Sequence, residues 1–574
     1  MPILNWLGKD KVINHHQQVP YRVLEPQYTY GQADSGNIII HGDNLDALKA
    51  LLPRYEGKVK CIYIDPPYNT GNEHWVYNDN VNDPKIKKWL GEVVGREGED
   101  LSRHDKWLCM MYPRLRLLQR LLANDGVMVI SISYHEVNNL ILLCKEIFAT
   151  CQIVCVTVQT SGGKPSGGFN YLHEYLIYIT PKDFKPNPLG FAGGNSRSPF
   201  EGLTLSTFDK TQRPNQVYPI FIDRKTGLIA GVGESLQQRK SNGTFTNELA
   251  DFKYDYSEAP EGTAALWPVS SKGNECVWRL ISTRLLTDWE KGYIKVTLNK
   301  SSNNPNEYSV QYLPAGLINK IAKGVLKVTG KEENAPTLVF GENETVGSQI
   351  PTIWAEKQFF TVKGTNLMGE LLGKKVFEYS KPVSLIEEVI RSCSKPDDIV
   401  LDSFAGSGTT AHAVLNLNKA DGSNRKFILV EMEEYSDTIT AERVKRVIDG
   451  YGTVEGTGGS FTYYELGERI LLEDGNLNEK LDIEKIREYV WYTETRTAYV
   501  PQDEEYLLGT NINTAYYFFY KRKCVTVLDH DFLHNIKTKA GSYLIYADIN
   551  ALSAEEMDTA NIRFKKIPRD ITRI

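Results

Sequence analysis

The chain has 574 residues, enough for roughly three to four domains of about 150 residues each, and 41% hydrophobic with 24% charged residues is ordinary globular composition. Net charge is −6, from 66 basic and 72 acidic residues, which excludes a protein that grips phosphates through overall positive charge. The sequence has no apolar run of bilayer length, no signal-peptide pattern at Met1–Trp6, and eight scattered cysteines without metal or disulfide spacing, so a cytoplasmic protein without a membrane segment is expected. Cys151 and Cys155 read as two buried thiols.

In chain order, Asn37–His41 is a short β-branched run that predicts a buried strand ending at Gly42-Asp43. Asn44–Leu52 has helical spacing and is expected to stop at Pro53. Val59–Ile64 predicts a second buried strand, which runs into Asp65-Pro66-Pro67-Tyr68. A helix follows over Trp107–Ala123, closed by Asn124-Asp125-Gly126, and then a strand over Val127–Ile132. Val137–Phe148 predicts a helix, and Ile153–Val158 and Tyr175–Ile179 are apolar strand-like runs. Alternation of this kind predicts a parallel sheet with helices on both faces.

From about Ser161 to Pro351 that rhythm gives way to short strand-like pieces among Gly, Ser, Asn and Pro. Alternation then returns: a helix over Ser384–Cys393, a strand over Ile399–Leu401, a helix over Thr410–Leu417, a strand over Lys426–Val430 and a helix over Asp437–Asp449. Gly456–Gly459 reads as a linker to a final segment of about a hundred residues. Residues 182–350 hold 20 basic and 18 acidic residues and residues 451–574 hold 15 and 20, so the middle is the better candidate to meet phosphates, by a margin close to noise.

Chemistry is expected beyond the carboxyl ends of the parallel strands. Phe404-x-Gly406-x-Gly408 lies between a predicted strand and helix, where glycines admit positive φ and close approach of a ligand. The following helix N-terminus can face an anionic group. Glu431, ending the next strand, is placed to accept hydrogen bonds from ribose hydroxyls. Alone, such a glycine turn is as well explained as structure. Asp65-Pro66-Pro67-Tyr68 is more specific. The amine of adenine is a poor nucleophile because its lone pair is delocalised into the ring. A carboxylate accepting one N–H, with a carbonyl of a rigid Pro-Pro backbone accepting the other, would fix the geometry in which that lone pair is drawn out. Tyr68 offers a plane on which a flipped base can stack. The bland reading is a strand-to-loop turn with an incidental aromatic.

Together, DPPY and FxGxG resemble the amino-methyltransferases of DNA. The catalytic tetrapeptide precedes the cofactor glycines, with Asp65 and Phe404 far apart in the chain, which resembles the β class. Within it, LGKDKVINHHQQVPYRVLE (Leu7 to Glu25), IYIDPPYNTGNE (Ile62 to Glu73) and YYELGERILLEDGNLNEKLDIEKIREYVWYTET (Tyr463 to Thr495) are similar to the modification (Mod) subunits of type III restriction–modification systems.

The resemblance implies an α/β fold: a Rossmann-like seven-stranded methyltransferase sheet, circularly permuted, with an inserted mixed α/β target-recognition domain and a small C-terminal domain. The expected divisions are an N-terminal arm at 1–35, the catalytic half at 36–181, the target-recognition domain at 182–350, the cofactor-binding half at 351–452 and a C-terminal domain, for partner binding or dimerisation, at 453–574. It implies S-adenosylmethionine as cofactor and N6 of adenine in double-stranded DNA as substrate, since Asp65 stands where serine is typical of cytosine enzymes and asparagine of RNA or glutamine enzymes.

Asp65, Pro66, Pro67 and Tyr68 would be catalytic. Asp43, Asp65, Lys381, Phe404, Gly406, Gly408 and Glu431 would bind the cofactor, with Asp43 at its adenine and Phe377, Tyr379, Lys381 and Pro382 (an FxYxKP segment) lining its methionine end. For Asp43 a helix N-cap is a compatible alternative. Asn69, Arg213 and Arg279 are candidates for DNA contact, as is Trp278 beside Arg279, although a structural salt bridge would explain the arginines equally. Trp75 and Tyr77 would stack near the site or pack in the core, and His104 and Lys106 read as a solvated face. No catalytic metal is expected, and without a GxxxxGK[ST] loop no ATP hydrolysis. A homodimer and a separate helicase–nuclease restriction subunit are the implied partners. An orphan methyltransferase and a catalytically dead specificity subunit are the other readings.

Overall fold

A computed structural model describes residues 4–31, 35–70, 103–163, 169–191, 199–299, 303–324, 326, 328–340, 349–373, 377 and 379–569. Trp75 and Tyr77 lie outside these residues. The chain divides into two compact units, Met1–Ala192 with Gln349–Ile574, and Gly193–Ser348.

The first unit is built on a ten-stranded mixed sheet. Its strands in chain order are β1 (Arg22–Tyr30), β2 (Ile38–His41), β3 (Val59–Ile64), β4 (Leu122–Ile132), β5 (Gln152–Gln159), β6 (His173–Thr180), β7 (Ile353–Trp354), β8 (Ile399–Asp402), β9 (Lys426–Glu431) and β10 (Phe461–Arg469). In space they run β1-β10-β2-β9-β8-β3-β4-β6-β5-β7. The strands from β10 to β4 are mutually parallel, β1 pairs antiparallel with β10, and β6 runs antiparallel between β4 and β5.

The sheet is therefore neither seven-stranded nor wholly parallel. β1, β10 and β7 extend a seven-stranded middle at its two edges, where pairing covers backbone groups that would otherwise face water. β10 follows the predicted Gly456–Gly459 linker directly, so that stretch leads into the same sheet.

The middle strands alternate between two cores. Ile62, Ile64, Leu401, Ile428 and Val430 face one, and Cys61, Tyr63, Val400, Phe427 and Leu429 the other. Helices α1 (Asn44–Tyr55), α2 (Arg103–Leu121) and α3 (Val137–Ile147) cover the first face; α4 (Val383–Cys393), α5 (Thr409–Asp421) and α6 (Glu442–Asp449) cover the second. Burial on both faces is why these strands read as continuous apolar runs.

Several boundaries move. α1 runs through Pro53 to Tyr55: in the last turn the proline removes one intrahelical bond, and the Glu56 N–H still reaches the Leu52 carbonyl. The expected Asn124-Asp125-Gly126 turn lies inside β4, as a bulge where pairing jumps from Val59↔Leu122 to Cys61↔Val127. The expected helix over Asp437–Asp449 begins as a π-turn, Ser436–Ala441, before α6. Cys151 and Cys155 are half-buried, not fully buried. Downstream, Leu507–Asn511, Thr514–Phe518, Ser542–Ala547 and Ile562–Lys566 form a separate four-stranded sheet beside the helix Ile483–Thr495.

The second unit carries two three-stranded antiparallel sheets, one centred on Ile220–Asp223 and one on Tyr308–Tyr312. Their core includes Tyr218, Ile220, Leu266 and Trp278. Among the described residues no helix is long and apolar enough to cross a membrane.

Candidate active site

Register brings the two motifs together. Val400 and Leu401 of β8 pair with Cys61 and Ile62 of β3 in parallel, so Asp402-Ser403-Phe404 and Asp65-Pro66-Pro67 leave the same sheet end side by side. Asp402 pairs with Leu429, which sets Glu431 at the end of β9 next to them. All three ends open on a cavity of about 380 Å³, lined by residues that include Asp65, Tyr68, Lys381, Phe404 and Glu431. That volume lies within the range of ordinary small-molecule sites.

The tetrapeptide is held from several sides. The Pro67 carbonyl accepts a hydrogen bond from Trp107 Nε1 at 2.7 Å, and Pro66 lines the cavity. Lys381 Nζ lies 3.3 Å from Asp65 Oδ1 and 2.8 Å from Glu174 Oε2, and also donates to the Tyr68 hydroxyl. That hydroxyl in turn donates to Glu174 Oε2 at 2.9 Å, and the ammonium sits 4.6 Å from the Tyr68 ring centroid. Burial pushes the Asp65 carboxyl up, Lys381 pulls it down, and Glu174 pushes it up again. Burial alone would lower the lysine, but the Asp65 and Glu174 carboxylates outweigh it and hold the ammonium charged.

The glycine loop adopts the positive φ expected of it. Gly406 has φ +52° and Gly408, the N-cap of α5, has φ +80°. The Gly406 N–H donates to Glu431 Oε2 at 2.7 Å and its carbonyl accepts from Thr440 Oγ1 at 2.6 Å. Glu431 also accepts from the Glu433 N–H at 3.0 Å. Burial raises Glu431 to about 7 despite these bonds, and raises Asp402 to about 7 although Thr410 and the Phe404 N–H donate to it. Behind the loop, Arg443 is fully buried and donates to Ser380, Ser407 and Thr409 hydroxyls; burial lowers it to about 9. Phe377 is buried, with its ring 3.3 Å from where a Cβ on Gly406 would stand, while Tyr379 is exposed and lines the cavity.

Other expected site residues are placed differently. Asp43 caps α1, accepting from the Leu45 N–H at 2.8 Å, and lies 3.7 Å from Arg114; its neighbour Asn44 is the one that lines the cavity. Asn69, at φ +57°, is completely buried and donates to Glu136 and to the Arg103 carbonyl, so the structure puts it inside the turn after Tyr68 and not on a surface. His104 pairs with the same buried Glu136 at 2.6 Å, so it is no merely solvated residue. In the second unit, Trp278 is a core residue whose Nε1 donates to the Tyr218 carbonyl, not a surface contact. Arg213 and Arg279 are exposed, and Gln216 joins them, accepting from the Arg213 guanidinium and donating to the Arg279 carbonyl. The roles missed in the sequence are those of Glu174, Asp402 and Arg443; Asp402 was visible at the strand end just before the glycine motif, whereas nothing around Glu174 or Arg443 signals a site until the strands are paired.

A family model described as DNA methylase, of the N6/N4 type, matches residues 59–442, more than half of the chain. This chain belongs to that family. It is 32% identical over 454 residues to the type III restriction–modification enzyme EcoPI Mod subunit of Escherichia phage P1, covering 75% of this chain and 63% of that one. It is 28% identical to the EcoP15I Mod subunit of Escherichia coli, over 79% of this chain and 67% of that one. The type II methyltransferase M.KpnI of Klebsiella pneumoniae is 27% identical, over 68% of this chain and 79% of its own length. The match to EcoPI Mod thus spans less than two thirds of that relative.

Proposed function

We propose that this chain is the modification and DNA-recognition subunit of a type III restriction–modification system, transferring a methyl group from S-adenosylmethionine to N6 of adenine in a short DNA sequence. The observation that carries the reading is that the DPPY and FxGxG loops, distant in sequence, open on one cavity. The order of the two motifs along the chain supports a circularly permuted methyltransferase fold. The likeness to Mod subunits favours adenine in double-stranded DNA and a restriction subunit as partner.

The cavity suits the cofactor. Ser403 lines it and is 1% exposed, and its buried hydroxyl has no hydrogen-bond partner among the described residues, which leaves it for a ligand. Glu431 and Asp402 are acceptors for hydroxyl groups, and acidic lining favours a cation. When bound, S-adenosylmethionine supplies a methyl group already activated on a sulfonium. Phe404, Gly406 and Gly408 would shape its pocket.

The chain's own part is to present the amine. With the Pro67 carbonyl engaged by Trp107, the Pro66 carbonyl and the Asp65 carboxylate are the acceptors for the two N–H bonds. Both would draw the amine's hydrogens out of the base plane to one side, so that the nitrogen becomes pyramidal and its lone pair is freed on the other side. The Tyr68 ring, tethered at its hydroxyl by Glu174, supplies the stacking surface. Arg213 and Arg279 would meet DNA, and the acidic final segment suits a protein-facing role such as dimerisation.

Transfer of radioactive methyl from S-adenosylmethionine to unmethylated DNA tests the reading. Wild type is expected to transfer and Asp65→Ala to lose at least about 100-fold, while single-molecule sequencing of host DNA is expected to show N6-methyladenine in one short motif. Binding of DNA with no transfer by wild type would instead make the chain a dead specificity subunit.

A further inference from the structure

The contacts of Lys381 fall on the catalytic tetrapeptide. Its ammonium donates to Glu174 at 2.8 Å and to the Tyr68 hydroxyl, and forms an ion pair with Asp65 at 3.3 Å. Glu174 comes from β6, one residue before the Tyr175 that pairs with Ile132 of β4. The lysine comes from the segment entering α4, so the cluster joins chain stretches more than 300 and 200 positions apart. Asp65 Oδ1 itself is buried and accepts no hydrogen bond among the described residues, which leaves it open to an incoming donor.

We propose that Glu174 and Lys381 are positioning residues for methyl transfer: the ammonium, shared between two carboxylates, fixes the Asp65 carboxylate, and with Glu174 fixes the Tyr68 ring. The inference rests on the methyltransferase reading. It moves Lys381 from the methionine end of the cofactor, where its motif suggested it, to the target base.

The charges make this a three-body arrangement. The Lys381 ammonium lies 3.3 Å from Asp65 and 2.8 Å from Glu174, where its charge offsets the repulsion between the two carboxyl groups. Glu174 balances that charge, so the ammonium is not drawn wholly onto Asp65, which leaves the carboxylate able to accept from an incoming amine. Tyr63, Tyr68, Glu174, Lys381 and Asp402 are the titratable groups acting on Asp65. Removing Lys381 therefore raises the pH at which Asp65 ionises, and removing the charge of Glu174 lowers it.

The test uses the full chain with S-adenosylmethionine and DNA containing its target motif. Lys381→Met, Glu174→Gln and the double variant are compared with wild type for kcat across pH and for cofactor Kd by calorimetry. Lys381→Met is expected to lower kcat about 10- to 100-fold, the scale of a misplaced reacting group. The acid limb of kcat should move to higher pH in Lys381→Met, to lower pH in Glu174→Gln, and back toward wild type in the double variant. Cofactor Kd should stay within about threefold of wild type, which also shows that the variants fold, and Lys381→Arg should keep the wild-type limb. A cofactor Kd raised tenfold in Lys381→Met with kcat intact would return the lysine to the cofactor and overturn the proposal. So would acid limbs that move together or not at all. A wild type silent on unmethylated DNA would overturn the methyl-transfer reading itself, and this inference with it.

Discussion

Gly408 shows how tightly a single position can be specified. At φ +80°, with the Thr440 carbonyl 3.1 Å from where a Cβ would be, any L side chain meets both torsional strain and backbone. Gly408→Ala is expected to cost roughly 1–2 kcal/mol from the left-handed conformation alone, with a lower Tm in a thermal melt and weaker cofactor binding by calorimetry. Glu431 makes the second residue-scale case. Its folded value is raised to about 7 by burial, above its ordinary carboxylate value. A raised acid holds its proton in the folded state over the window from about 4.5 to 7, so its contribution to stability is complete at the low end and is lost as pH rises through about 7. Asp402 adds the same sign. The ligand-free protein should therefore melt at a lower temperature at pH 8 than at pH 6 by this contribution, and Glu431→Gln should flatten the slope. Bound sulfonium favours the ionised carboxylates, so cofactor affinity should weaken from pH 8 to pH 6.

Among the elements, the π-turn Ser436–Ala441 lies where it can brace the glycine loop. Its Thr440 is fully buried and donates to the Gly406 carbonyl at 2.6 Å. Thr440→Val keeps the shape and deletes the donor to the part-buried Gly406 carbonyl, a loss of about 0.5–1.5 kcal/mol. Chemical denaturation should show that loss, with a cofactor Kd that rises several-fold because the loop backbone is released. The helical spacing of Asp437–Asp449 is plain in the sequence, but the extra residue per turn is not. It follows from packing this segment against the β8–α5 loop, which no local propensity records. In the same way the bulge in β4 hides a turn signal that was locally sound: Asn124-Asp125-Gly126 does break the ladder, but pairing with β3 resumes around it.

At the scale of the whole molecule, the two units invite separate tests. Arg213 and Arg279, joined through Gln216 in the Gly193–Ser348 unit, are expected to contribute to DNA binding and not to cofactor binding. Alanine at both should weaken DNA affinity and reduce the slope of log K against log salt by roughly one to two phosphate equivalents, read by fluorescence anisotropy, while cofactor Kd is unchanged. Loss of discrimination between target and non-target DNA without a change in salt slope would mean that they read base edges instead.

What the sequence determined by itself was local. Apolar β-branched runs marked β2, β3, β8 and β9 because these strands are buried on both faces, and their ends carried the two motifs because only glycine, proline and a strand-end carboxylate meet those backbone and chemical demands. The tertiary structure alone decided which distant groups complete the site. Parallel pairing of β8 with β3 brings Phe404 beside Asp65, and the antiparallel β6 delivers Glu174 to Lys381 and Tyr68. It also withdrew Asn69 and Trp278 into the interior and added strands at both sheet edges. The physical reason is the range of the forces involved. Backbone strain and strand burial are written into a few consecutive residues, whereas a charge shared by three side chains depends on which strands become neighbours.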